Sequence, residues 1–208
     1  MARGLHHPRG MTTYPDRIEL TLERIFLQQA LAGQDDAFVL LGSMYSEQVY
    51  AIARNLCSGD DEALELTRSA FERARKELTG IPDQQSFRTF VCRFLVSEAV
   101  ERLRSKPPPV SVPLAQFLPR FEDGRRVSAS WGWAEIDGLA RRRDVIQHIR
   151  EALAGLQAED RAAFVLLSVE GLAVDEVAAI MEVPAVRLRA HRACMLLSGY
   201  IVHLAGNR

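Results

Sequence analysis

Apolar residues recur every three or four positions through most of this chain, and the alternation that marks strands is missing. Ile18, Leu22, Ile25, Phe26 and Ala30 predict a buried stripe on a helix over 16–32, which Gly33 ends. Asp35 opens a second helix whose inner face is Phe38, Leu41, Tyr45, Val49, Ile52 and Leu56. After Ser58-Gly59-Asp60, with Asp60 as a cap, a third helix over 61–78 carries Ala63, Leu66, Ala70, Phe71 and Ala74. Ser86 caps a fourth over 87–104, with Phe90, Val91, Phe94, Leu95, Ala99 and Leu103 inside.

At Lys106 the pattern stops. Three successive prolines lack N–H donors and fix φ, so no helix continues through them. Residues 106–138 read as a linker, with short ordered pieces around Phe117–Phe121 and Trp131–Trp133, whose aromatic rings suit docking. Helical periodicity resumes over 139–156 and 159–169, then in two short helices within 170–197. The expected class is all-α: a leader (1–15), a helical domain (16–105), the linker (106–138) and a smaller helical domain (139–208).

The last stretch has the outline of a helix-turn-helix with unusual residues at its corners. Ala173 stands at the cap position, and Glu182 at a bend that favours glycine. Pro184 suits a first helical turn. Val186, Ala190, Ala193 and Leu197 form one apolar stripe, and Leu188 and Met195 join His191 and Arg192 on the opposite face.

Composition narrows the function classes. With 48% hydrophobic and 25% charged residues in 208, the chain can build a globular core. A net charge of −1 is unlike a protein that coats nucleic acid non-specifically, so any DNA contact must come from a local patch. Between residues 35 and 105, twelve acids stand against nine bases, which points to Arg88, Arg93, Arg102 and Arg104 as the local concentration. Cys57, Cys92 and Cys194 are scattered and odd in number, and are expected to be reduced and mostly buried. The histidines show no metal-ligand spacing, there is no phosphate loop or nucleophile elbow, and no cofactor is called for; a non-enzymatic protein is expected. No apolar run reaches the ~20 residues a membrane span needs, and the leader lacks a signal-peptide core, so no membrane insertion and a cytoplasmic location are expected.

Two stretches carry a family resemblance. "LAGLQAEDRAAFVLLSVEGLAVDEVAAIM" (153–181) resembles the fourth conserved region of the extracytoplasmic-function (ECF) sigma factors of bacterial RNA polymerase, with Arg161, Phe164, Leu166, Glu170, Gly171, Leu172, Glu176, Val177 and Ala178 in the family's places. "VYAIARNLCSGDDEALELTRSAFERARKEL" (49–78) is similar to the polymerase-gripping helices of the second region, and "SFRTFVCRFLVSEAVERLRS" (86–105) to its promoter-melting helix. The resemblance implies that Leu64, Glu65, Arg68, Phe71 and Glu72 bind core polymerase. It implies a −10 surface of Arg88, Phe90, Arg93, Ser97, Glu101, Arg102 and Arg104, with Phe90, Ser97 and Glu101 in place of the family's Trp, Asn and Asp. For the −35 element it implies Arg187, Arg189, His191 and Arg192, if the turn is two residues shorter than the family's. Core RNA polymerase, promoter DNA and an anti-sigma factor are the implied partners. Two alternatives stay open: a sigma-like module that works by protein binding, and a helix-turn-helix regulator whose second half alone reads DNA.

Overall fold

The computed structural model describes residues 17–83, 85–105, 121–122, 125–126 and 143–206. Helices dominate it. Four long ones come first: α1 (Arg17–Leu31), α2 (Asp35–Leu56), α3 (Asp60–Lys76) and α4 (Phe87–Ser105), with a 3-10 turn at Leu78–Gly80. A two-residue antiparallel ladder pairs β1 (Phe121–Glu122) with β2 (Arg125–Arg126) inside the predicted linker. Then come α5 (Arg143–Ala154), α6 (Ala158–Phe164) running into a π-helical turn at Val165–Val169, α7 (Val174–Met181) and α8 (Val186–Gly206). The prolines of the predicted linker and Trp131 and Trp133 lie outside the described residues.

Local chemistry explains the punctuation. Gly33 turns the chain after α1 at φ +88°, where a Cβ would be strained. Gly59, rather than Asp60, occupies the cap of α3, and Asp60–Glu62 place acids in its positive first turn. Ser86 caps α4 as its sequence predicts, accepting the Thr89 N–H at 3.1 Å. Ala173 caps α7 with no side-chain bond, and Glu182 ends it in the left-handed region at φ 52°. Ala185 is left-handed too (φ 60°), so Pro184 lies in the turn and α8 begins at Val186, not at the proline.

The predicted inner faces of α2 and α3 are buried, with Phe38 and Phe71 half-covered at the edge. The stripe of α1 is covered only in part. Ile18, Leu22 and Ile25 are exposed, and α1 instead turns inward through buried Glu23 with Phe26, Leu27 and Ala30 half-buried. Glu23 accepts the Tyr45 hydroxyl at 2.7 Å and the Phe87 N–H at 2.5 Å. A carboxylate joined to an orphan N–H at a helix start is stabilising, and it fixes the roll of α1.

α4 is buried on more than one face. Phe87, Thr89, Cys92, Val96 and Val100 are covered in addition to the predicted positions, and Leu103 only partly. The reason is tertiary: α2 and α3 pack on one side of α4, while α6 and α7 pack on the other. One apolar cluster therefore runs from Leu41 and Phe90 through to Val165, Leu166, Val177, Ile180 and Val186. A second, smaller cluster joins α5 to α8 through Ala152, Leu156, Ala193, Leu196, Leu197 and Tyr200.

Candidate nucleic-acid and polymerase interface

The residues implied to grip polymerase share a face of α3. Leu64, Glu65, Arg68 and Glu72 are exposed there, and Leu64, at 57% exposure, is a large apolar side chain in water. Phe71 is turned toward the core, its ring 6.4 Å from that of Phe87. Arg68 and Glu72 pair loosely at 3.9 Å, an exposed i,i+4 contact of little energetic weight.

On α4 the structure separates the implied −10 residues into four groups. Phe90 is fully buried, edge-on to Phe94 at 5.0 Å, and belongs to the core. Arg102 bonds Glu98 at 2.5 Å and meets Glu65 at 3.4 Å. Burial opposes its charge, but the contacts to Glu98 and Glu65 together raise its pKa. Arg88, Arg93 and Arg104 reach across to the second half of the chain. Arg88 meets Glu176 at 2.5 Å, Arg93 meets Glu182 at 3.2 Å, and Arg104 pairs with Glu159. The Arg104 hydrogen bond holds the Glu159 carboxyl below the usual range. Arg93 also lies over the rings of Phe90 and Phe94, 5.2 Å from each. Ser97 and Glu101 are exposed beside Arg93 and Arg104, and all four line a cleft of about 460 Å³.

The helix-turn-helix consists of α7, the turn at 182–185, and α8. Val186, Ala190, Ala193 and Leu197 are all buried, as their spacing predicts. Arg187, Leu188, His191 and Arg192 are exposed, and Met195 is half-buried. Beneath this helix lies Asp160, 1% exposed, with Arg189 at 3.4 Å and Arg192 at 3.5 Å. The second contact is ionic without hydrogen-bond geometry, since Asp160 Oδ2 has no hydrogen-bond partner. Arg189 and Arg192, two of the four implied −35 residues, thus share one buried carboxylate, leaving Arg187 and His191 at the front of the helix.

The partners of these arginines were not legible as such. Glu159 reads as an ordinary helix residue, Glu176 as part of the family resemblance and Glu182 as an unusual corner residue, and none shows an arginine partner until α4 is placed against it. The available signal was the glutamate at a bend that favours glycine. Among the described residues no group of side chains is arranged to hold a metal ion, and no helix is long and apolar enough to cross a membrane. Of the cysteines only Cys92 is buried; Cys57 is half-buried and Cys194 exposed, which corrects the expectation that most are buried.

An all-α chain in which a four-helix group is followed by a helix-turn-helix group is the class this architecture defines. Known proteins give that class its nearest description. No family profile matches the chain. It is 27% identical over 180 residues to the ECF RNA polymerase sigma-E factor of Escherichia coli K12, covering 84% of this chain and 92% of that protein. It is 22% identical over 173 residues to the ECF RNA polymerase sigma factor SigW of Bacillus subtilis 168, covering 80% and 89%. Its fold matches CnrH, solved in complex with the cytosolic domain of CnrY, with a TM-score of 0.56 and 21% identity over 85% of this chain and 95% of that one. The similarity to ECF sigma factors therefore extends along most of the chain rather than over the helix-turn-helix alone.

Proposed function

We propose that this chain is an alternative sigma factor of the ECF type, which binds core RNA polymerase and directs it to promoters. The observation that carries the reading is the similarity over both halves in one order, since a lone helix-turn-helix regulator would match over its second half only. On this reading the exposed face of α3 meets polymerase, α4 holds the opened −10 strand, and α8 enters the major groove at the −35 element. The chemistry is binding and not catalysis: guanidinium groups hold phosphate, and a helix reads base edges. The division into domains at 16–105 and 139–208 belongs to the same proposal, as do a cytoplasmic location and an anti-sigma partner; CnrH, solved with the cytosolic domain of CnrY, is consistent with such a partner.

Purified chain added to core polymerase and a library of promoter fragments tests it. Chain-dependent transcripts sharing −10 and −35 elements are expected, and failure to bind core polymerase sinks the proposal. A second reading, a sigma-like module working through protein contacts, is favoured by one feature. Leu188 is 67% exposed at the front of α8 while Arg189 and Arg192 face Asp160. Polymerase binding without promoter opening would select it.

A further inference from the structure

Asp160 is a carboxylate 1% exposed, on α6 where that helix packs beneath α8. It answers two cations. Arg189 Nη1 donates to its Oδ1 at 3.4 Å, and Arg192 Nε lies 3.5 Å from its Oδ2, which has no hydrogen-bond partner among the described residues. A carboxylate taken out of water is costly unless cations attend it, and on the Oδ2 side Arg192 is the cation. Its neighbour Glu159 is engaged by Arg104, so the Asp160 charge serves α8. Arg189 and Arg192 stand three residues apart on one helix face, where like charges repel, and the shared carboxylate offsets that. Neither is withdrawn from solvent: their side chains are 31% and 51% exposed. Each also spends only part of its planar fork of donors on Asp160. With Nε of Arg192 turned inward, its two terminal amino groups are left for an outside acceptor.

We propose that Asp160 is the positioning residue of the DNA-reading face: it fixes Arg189 and Arg192 from below so that their outward donors read base edges in the major groove. What those donors meet rests on the sigma-factor reading above; the anchoring of the guanidiniums does not. Charge separates the two kinds of contact. A phosphate is drawn by net positive charge, which Asp160 lowers, so for phosphate binding alone the carboxylate is a loss. A base edge such as guanine O6 and N7 carries no net charge and needs a fork at one place and angle, so a fork already held still is a gain. Removing the carboxylate therefore moves selectivity and affinity apart, whereas simple damage to the fold lowers both.

The test compares the full chain with D160N, which keeps the shape and removes the charge, and circular dichroism establishes folding. A randomised double-stranded DNA library is the probe. Selection and sequencing, with the chain alone and bound to core polymerase, read base preference; anisotropy of the unselected library reads the affinity of the chain alone at fixed salt. D160N is expected to lose about tenfold in preference at one or two base positions, the scale of one bidentate contact. It should bind the unselected library as tightly as wild type or more tightly. In R189A/R192A the same D160N change should alter neither quantity, because the residues through which it acts are gone. Preference kept in D160N overturns the proposal, and so does a parallel fall in preference and unselected affinity. A second measurement needs no variant: nitrogen-15 relaxation of the arginine Nε–H groups in wild type. Arg192 is expected to be rigid beside a mobile, exposed Arg187, and equal mobility overturns the proposal. The two readings also come apart. A rigid Arg192 in a chain that enriches no sequence, with or without polymerase, keeps the anchor and removes the sigma-factor reading together with the DNA role. Enrichment of the same sequences by wild type and D160N keeps that reading and removes the role of Asp160.

Discussion

Glu23 shows how much one buried carboxylate can organise. At 5% exposure it joins three helices: its own, α2 through Tyr45 and α4 through the Phe87 N–H. Replacing it with alanine leaves a buried hydroxyl and a helix-start N–H without that acceptor, which costs about 1–3 kcal/mol. A fall of that size in the urea unfolding free energy of Glu23→Ala is expected, and a loss below ~0.5 kcal/mol would show that α1 is not held this way. The cysteines give a second residue-scale expectation. Burial pushes the Cys92 thiol up to about 12, beyond the opposing pull of nearby Arg88, so it carries almost no thiolate at neutral pH. Cys194 is exposed on α8. A maleimide should modify Cys194 in the folded chain and Cys92 only after denaturant is added; mass spectrometry of the peptides decides it.

At the scale of elements, the helix-turn-helix corner separates stability from function. Glu182→Gly relieves a left-handed residue worth about 1–2 kcal/mol. It also removes the Arg93 contact, whose glutamate is 65% exposed and which is worth about 0–1 kcal/mol. The relief is the larger, so the variant should unfold at higher denaturant than wild type; an earlier midpoint would mean that the Arg93 pair outweighs the backbone strain. Helix periods were legible where one continuous face of the helix is covered: Leu41, Val49 and Ile52 on α2, and Val186, Ala190 and Ala193 on α8, are buried where their spacing puts them. Two elements departed from their pattern, each for a tertiary cause. α1 rolls its apolar Ile18, Leu22 and Ile25 outward because Glu23 is drawn to a donor that arrives 64 residues later. α4 is buried on extra faces because α6 and α7 cover it, and no period within α4 encodes what packs on it from elsewhere in the chain. For the same reason the candidate −10 arginines could be picked out from local charge, but their carboxylate partners could not.

For the whole molecule, the contact between the halves combines an apolar centre with an ionic rim, and the two respond differently to acid. Glu159 is held below the ordinary glutamate range mainly by its Arg104 hydrogen bond. A depressed folded-state value means that the unfolded chain binds the proton first as pH falls. The contribution of Glu159 is therefore complete above the ordinary glutamate pKa of about 4.3 and is lost as pH drops through the depressed value. The apolar seam, with Val165, Leu166, Val177 and Ile180, has no group that titrates there. Acid below the ordinary glutamate range should accordingly loosen the rim before it unfolds either half. Hydrogen exchange read by peptide mass spectrometry, corrected for the intrinsic pH dependence of exchange, should show α6 and the end of α4 protected from pH 7 down to about 4.3, with protection falling first there as pH is lowered further toward about 2. The core of α2 should stay protected through that interval. In Glu159→Gln the early phase at α6 should shrink, because the group that titrates is gone. Simultaneous loss of protection in α2 and α6 at every pH would mean that the rim and the core form one cooperative unit, and that no separable ionic contact joins the halves.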